Sequence, residues 1–326
     1  MVLNKLDKDI CFIYSGPHPV HEAFAKTVCN KFYPSFTYKK YRLPFLKNID
    51  AILRGFLLPY ADIYLCESGT DLLVAIPRKI LNPKIKIIAL VASSYGIMGR
   101  TNILSKSLMK IILNKCDGII AVSAYIKNKL RSEGIKINIK VVNPFLDVDR
   151  FSKIKARLDN KRFLYIGRNH PERNIKFLIR VFKNLPYKLT IVGNGFEKRE
   201  FSNNIHFEAA TRNIEKYLIK NTFYIDLSMF APYPVAVLEA IAAGEIPILS
   251  KDCGNSEILK KVGESELVIN NYDSKLVAEK IEKIVKKPIK WRKKIVFKLK
   301  RRVLRLNKNR QCKLFKKTFN EMIKAI

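Results

Sequence analysis

Three separated features of this chain have the residue types needed to hold a phosphorylated, hydroxyl-bearing ligand. Arg168 and Arg173 bracket a turn that follows an apolar run ending in Gly167, and a guanidinium can grip phosphate oxygens bidentately. Gly193 and Gly195 follow a second apolar run, Leu189–Val192. Glu239 is the one acid in the stretch 227–244, where a strand-like run ending in Ser228 passes through Pro232-Tyr233-Pro234 into a small-residue helical segment starting at Val235. One turn into that helix, its carboxylate is placed to accept hydrogen bonds from nucleotide hydroxyls, and the helix N-terminus favours phosphate. Each feature has a plainer alternative. The arginines can be two surface cations on a glycine-rich turn, and Val235, Leu238, Ala242 and Ala243 can be a packed helix face with Glu239 a solvated neighbour. Near the amino end, Gly16 lets backbone approach a diphosphate or sugar closely. Beside it, His18 reads either as a contact to that sugar or as a helix cap.

These residues need a scaffold, and the hydropathy pattern supplies one. Strand-like runs fall at Asp9–Ser15, Ser35–Tyr41, Asp62–Glu67, Lys86–Ala92, Asp117–Val122 and Ile137–Asn143, with helical stretches at Ile49–Leu58, Leu72–Leu81, Ile103–Asn114 and Tyr125–Ser132. The scheme repeats with strands near Arg162–Ile166, Leu189–Val192, His206–Glu208, Phe223–Leu227, Ile246–Ser250 and Glu266–Ile269. Such alternation predicts parallel sheets covered on both faces. The candidate residues then sit at strand ends, where open α/β sheets bind ligands. The 326 residues suffice for two domains: residues 1–150, residues 151–290, and a basic helical segment at 291–326, with 144–161 as linker.

Composition narrows the function classes. No window of about 20 residues lacks charge, which argues against a spanning helix, and charges interrupt the amino terminus before the first apolar run. The expected location is the cytoplasm. The six cysteines include no C-x-x-C pair, and Cys11, Cys29, Cys66 and Cys116 read as buried free thiols. Gly193-x-Gly195 lacks the third glycine and the ribose acid of a dinucleotide fingerprint, which argues against an oxidoreductase. Asp147-Val148-Asp149 mimics a metal-binding carboxylate pair, yet its place after Asn143-Pro144 reads as linkage, and no metal is expected.

Taken in order, the segments resemble the retaining nucleotide-sugar glycosyltransferases of family 4. The resemblance rests on Arg162–Asn174 as the diphosphate-gripping turn, Leu189–Gly195 as the next strand and glycine turn, the segment 227–250, Asp117–Ser123, and Val141–Phe151 as the interdomain crossing. It implies the GT-B architecture, two facing doubly wound Rossmann-like domains with a cleft between them. The first domain would hold the acceptor and the second the donor. Donor binding would fall to Gly16, Gly167, Arg168, Arg173, Gly193, Tyr233, Pro234, Val235 and Glu239, with Arg168 and Arg173 catalytic through charge neutralisation and His18 at the sugar. The partners implied are a nucleotide-sugar donor and a saccharide or lipid-linked acceptor, with no cofactor. The family pattern has a Glu eight residues before Glu239; here that position is Ala231. Leu65 and Glu67 stand where a His-x-His is common, and Ala92 replaces another histidine. The loss at Ala231 puts the identity of the sugar in question.

The charge supports a second reading. There are 62 Lys and Arg against 28 acids, and from Lys283 to Lys317 every charged residue is basic. Such a field attracts polyanions. A degenerate transferase fold serving as a nucleic-acid-binding, membrane-binding or scaffolding protein is therefore the alternative. Aromatic interleaving in the basic run stops at Trp291, Phe297 and Phe315, which disfavours nucleic acid. Trp291, Ile295, Leu299, Val303 and Leu306 recur at helical spacing among lysines and arginines. They fit a helix lying on an anionic membrane at its inner face and also the long carboxy-terminal helix that crosses back to the first domain in the resembled fold, its stripe core; the two are compatible.

Overall fold

The computed structural model describes residues 8–16, 18–35, 44–67, 69–93, 103–197 and 199–325. The chain divides into two compact units, one of residues 1–143 with 309–326 and the other of residues 144–308.

The first unit runs β1 (Ile10–Tyr14), α1 (Pro19–Ala25), β2 (Lys31–Pro34), α2 (Pro44–Leu57), β3 (Ile63–Cys66), α3 (Gly69–Leu81), β4 (Lys86–Val91), α4 (Ile103–Lys115), β5 (Gly118–Ala121), α5 (Ala124–Ser132) and β6 (Ile139–Val141). All six strands are parallel, in the order β2-β1-β3-β4-β5-β6. The central strands are buried on both faces, as continuous apolar runs in a helix-covered parallel sheet must be. The expected strand Ser35–Tyr41 falls outside the described residues from position 36 onward. The strand that pairs with β1 lies just before it. Cys11, Cys66 and Cys116 are buried free thiols, whereas Cys29 is only half-buried at the end of the turn after α1.

The second unit runs α6 (Val148–Phe151), β7 (Phe163–Ile166), α7 (Ile175–Lys183), β8 (Leu189–Gly193), β9 (Arg199–Ser202), β10 (Ile205–Ala209), α8 (Glu215–Leu218), β11 (Phe223–Asp226), α9 (Val235–Ala243), β12 (Ile246–Ser250), α10 (Ser256–Lys261), β13 (Val268–Ile269), α11 (Ser274–Val285) and α12 (Ile289–Val303). Its sheet order is β13-β12-β11-β7-β8-β10-β9, parallel except for β9, which pairs antiparallel with β10. Strand β9 escaped the sequence reading because its four residues carry charges and no apolar alternation.

The basic segment divides between the units. Helix α12 buries Ile295, Leu299 and Val303 in the second unit against α9, α10 and β12, a burial worth about 1.5–3 kcal/mol for each side chain. Three of the five stripe residues are therefore core, and Trp291 and Leu306 are half-buried. Helix α13 (Lys308–Lys324) belongs to the first unit from Asn309 on. Phe315 stacks on Phe24 with ring centroids 4.7 Å apart, and Met322 covers Gly118.

One buried group in the second unit works against stability. Glu245 is completely buried between α9 and β12, and neither carboxylate oxygen has a hydrogen-bond partner. Burial holds its pKa well above the ordinary 4.5. A raised folded-state pKa adds no pH-dependent cost while both states are protonated, which leaves only the smaller cost of an unpaired neutral carboxyl. The penalty grows as pH rises above the unfolded value. Replacing it with an apolar residue of similar volume, Glu245→Met, is expected to raise stability at pH 8 by about 2 kcal/mol and to raise it less at pH 4. Thermal melts at both pH values measure this, and equal gains at both would contradict the burial argument.

Candidate active site

In the second unit, strand order reverses between β7 and β11, so the loops leaving those strands diverge and open a crevice at their carboxyl ends. Gly167–Asn174 leaves β7, and Leu227–Pro234 leaves β11. The two loops are tied together: the amides of Met229 and Phe230 donate to the Glu172 carbonyl at 2.9 and 3.3 Å. The first loop makes a 3-10 turn over Pro171–Arg173, capped by the His170 side chain. It then passes through Asn174, at φ 55° the sole non-glycine residue with positive φ among the described residues.

That turn sets the two arginines in different surroundings. Arg168 is exposed. Arg173 keeps 19% of its side chain exposed, and its Nη1 lies 3.9 Å from Oδ2 of Asp226, a carboxylate buried at the end of β11. Burial alone would lower the pKa of this guanidinium, but the Asp226 charge beside it holds it above its ordinary value. Asp226 also accepts from the Ser228 amide at 3.0 Å and from the Ser228 hydroxyl. Arg173 is thus a fixed cation anchored from below.

The glycines are packed against each other. The amide of Gly167 donates to the Val192 carbonyl at 2.9 Å, and Asn169 donates to Asn194 at 2.8 Å. A Cβ on Gly193, whose φ is 154°, would lie inside the van der Waals envelope of the Gly167 carbonyl oxygen. The Gly193 turn therefore sets the height of the Gly167–Arg168 turn.

Pro234 precedes α9 and supplies no side-chain cap; the Val237 amide donates to the Pro234 carbonyl at 3.3 Å, which leaves the amides of Val235 and Ala236 for an anion. Val235 lies at that start, and Tyr233 before it is buried, facing Glu257 and Arg302. Ala231 is also buried; its amide donates to the Asp252 carbonyl at 3.0 Å, and its carbonyl accepts from Gly254 at 2.8 Å. The Asp252 carboxylate and the Ser228 carbonyl both lie within hydrogen-bond distance of the Tyr272 hydroxyl, at 3.0 and 2.9 Å.

Glu239, one turn along α9, makes no hydrogen bond to the protein among the described residues. Burial pushes its carboxyl up to about 7 against the pull of the Arg150 charge, and Glu215 and Asp147 push the same way. Arg150 itself is engaged, donating to Glu215 at 2.6 Å and to the Arg212 carbonyl at 2.6 Å. The Asp147 carboxylate caps α6 by accepting from the Arg150 amide at 3.1 Å.

In the first unit, the sheet reverses between β1 and β3. Gly16 lies in the loop after β1, exposed, with φ 138°. His18 caps α1, its Nδ1 accepting from the Val20 amide at 3.3 Å, and its own amide donates to Glu67 at 3.1 Å. Glu67 leaves β3 and pairs with His21 Nδ1 at 2.7 Å. The second unit therefore brings Gly167, Arg173 and Gly193 around one sheet edge beside the loop to Glu239, and the first collects Gly16 and His18.

The sequence reading missed Asp226, Arg150, Glu215 and the His21–Glu67 pair. Asp226 carried a signal, since an acid closing an otherwise apolar strand is unusual. Arg150 and Glu215 are 65 residues apart and carried none.

Two family models match the chain in succession: residues 9–150 match Glycosyltransferase Family 4, and residues 148–302 match glycosyl transferases group 1. The chain belongs to the group 1 glycosyltransferases. Its fold is GT-B, a pair of doubly wound α/β domains in one polypeptide. Solved structures of that fold are similar over nearly the whole length. Sucrose-phosphate synthase from Thermosynechococcus elongatus superposes with TM-score 0.76 at 14% identity, covering 98% of this chain and 100% of that one. HepE of Anabaena, solved with UDP-glucose, gives 0.73 at 11% identity, covering 96% and 100%. The lipopolysaccharide outer core galactosyltransferase WaaB gives 0.66 at 17% identity, covering 97% and 99%. At these identities the likeness is one of fold. No curated protein sequence matches the chain significantly.

Proposed function

We propose that this glycosyltransferase moves a sugar from a nucleoside diphosphate to a saccharide acceptor with retention of anomeric configuration and without a metal ion. The observation that carries the reading is Glu239: a largely buried carboxyl one turn into α9, without a hydrogen-bond partner among the described residues, beside a loop pinned to an anchored arginine. Ribose hydroxyls donate to this carboxylate. The diphosphate then lies toward the free amides of α9 and the guanidiniums of Arg168 and Arg173.

Cleavage breaks the bond between the anomeric carbon and the β-phosphate oxygen, and negative charge grows on that phosphate. Fixed cations and amides stabilise it without rearrangement. The acceptor oxygen bonds to the anomeric carbon from the same face while its proton passes to the departing phosphate oxygen. No protein nucleophile is required. The acceptor is held by the first unit, and a lipid-linked saccharide suits the basic character of the chain. With Ala231 in place of the usual acid, the pocket for the transferred sugar is altered. No helix among the described residues is long and apolar enough to cross a membrane, so attachment to a membrane would be peripheral.

Thermal-shift measurement with nucleoside diphosphates and their sugar conjugates tests the donor assignment. A ligand at 100 times its Kd adds about 2.7 kcal/mol to the folded state. A nucleotide sugar has no phosphate group titrating near pH 7, so the pH dependence of its affinity reports the protein. Because the free Glu239 carboxyl sits near 7 and the ionised form is the better acceptor, affinity is expected to rise between pH 6 and pH 8. Glu239→Gln is expected to weaken binding and flatten that rise. A wild-type affinity flat with pH, or a Gln variant that binds as well, would remove Glu239 from the ribose. Absence of a shift with every nucleotide would instead favour the polyanion-binding alternative.

A further inference from the structure

Helix α2 is built inside out. Its inner side against α3 consists of Ala51, Gly55 and, just past the helix end, Leu58, all buried. A Cβ on Gly55 would fall 2.6 Å from the Val74 carbonyl oxygen, so the two helices meet nearly backbone to backbone. The large side chains face the other way: Ile49, Leu53, Phe56 and Leu57 are 47%, 59%, 54% and 78% exposed. A helix whose only task is packing hides its large apolar residues and shows small or polar ones. Here the order is reversed.

The apolar surface is not confined to one helix. Phe56 lines a shallow depression shared with α3 and α4, where Ile80 and Leu108 are 73% and 50% exposed. Contiguous exposed apolar surface of this kind marks an interaction site. Charge identifies the partner. Residues 44–60, 76–84 and 103–115, which carry this surface, include eight Lys or Arg and a single acid, Asp50, which is held by Arg54 at 2.6 Å; Lys79 and Lys106 are paired with Asp117 and Glu133 beyond these stretches, and the balance stays positive. Lys84 and Lys115 are exposed. Two copies meeting through this face would bring like charges together, whereas an anionic bilayer neutralises them and takes up the apolar side chains.

We propose that the α2–α3–α4 face of the first unit docks on an anionic lipid bilayer, with α2 lying in the boundary between headgroups and acyl chains. This replaces the role that sequence suggested for the apolar stripe of α12, which is mostly core. It is independent of the donor site, which lies in the second unit.

The test is co-sedimentation of the full chain with vesicles of phosphatidylcholine alone and of phosphatidylcholine with phosphatidylglycerol in equal parts, across a salt series. Wild type is expected to partition onto the mixed vesicles and to weaken as salt rises. Leu53→Asp with Phe56→Asp is expected to lower the partition coefficient at least about tenfold. Lys84→Glu with Lys115→Glu should lose binding to the mixed vesicles, while charge reversal at Lys293 and Lys294 on α12 should cost much less. The nucleotide thermal shift should persist in every variant. Should the double Asp variant fail to fold, Phe56→Trp carries the test, its emission compared with that of wild type bearing Trp291 alone. A blue shift on mixed vesicles supports the proposal and no shift overturns it. Equal loss from the α12 charges overturns it as well, as does a wild type that ignores vesicles and sediments as a dimer broken by Leu53→Asp.

Discussion

Arg173→Ala is expected to lower kcat/KM for nucleoside diphosphate release by about 10²–10³-fold, the usual cost of deleting one preorganised stabiliser of transition-state charge. The size of the effect follows from how the guanidinium is held. Only 19% of its side chain is exposed, Asp226 sits 3.9 Å away, and Asp226 is itself tied to Ser228. A cation positioned before the reaction begins needs no reorganisation as charge develops on the leaving phosphate. Removing it also leaves Asp226 buried with one partner fewer, so the variant should lose about 1–3 kcal/mol of stability. Activity and melting are therefore measured together. Arg173→Lys separates the contributions, since an ammonium restores charge but not the bidentate fork, and it should recover only part of the rate. Arg168, exposed and without the Asp226 anchor, should show a smaller loss on substitution. A folded Arg173→Ala enzyme with unchanged kcat/KM would remove this turn from the catalytic site.

The second large effect is on folding. Gly193→Ala should destabilise the second unit by about 3 kcal/mol or more, because two penalties combine: φ 154° suits glycine, and the new Cβ collides with the Gly167 carbonyl oxygen. The collision partner is backbone, with no rotamer to move aside. Relief requires the Gly167–Arg168 turn to lift, so nucleotide binding should weaken beyond what stability alone explains. Gly195→Ala is the internal control. Its φ is 83°, but its Cβ would come no closer than 3.0 Å, to the Asn169 Cβ, with the Asn169 backbone at ordinary contact distance, so the loss should be nearer 1 kcal/mol. Chemical denaturation gives both values. Equal losses would mean that the close approach of the two turns is not the determining contact.

Sequence disclosed the fold where chemistry repeats at short range. Runs such as Lys86–Val91 and Ile246–Ser250 can be little else than buried strands between amphipathic helices, and they lie within a residue of the expected positions. Arg168, Arg173 and Gly193 stood out because turns concentrate unusual residues. What stayed hidden depends on pairing across the chain. Asp226 becomes an anchor only when β11 lies beside β7, and Arg150 meets Glu215 only in the folded unit. The stripe Ile295-Leu299-Val303 shows the limit clearly: helical spacing reveals an apolar face but not what covers it. The large side chains of α2 follow the same rule in reverse, since periodicity fixed their direction and only the buried Gly55 revealed which side was inner.

The placement of α13 has a consequence for how the molecule is made. Residues 144–308 form one unbroken stretch, whereas the other unit needs residues 309–326 to set Phe315 on Phe24 and Met322 over Gly118. Synthesis proceeds from the amino end, and domains fold as units while the chain emerges. The half that leaves the ribosome first is therefore the last to be finished. Until its closing helix emerges, its sheet waits with an apolar seam uncovered, and the later half can already be complete.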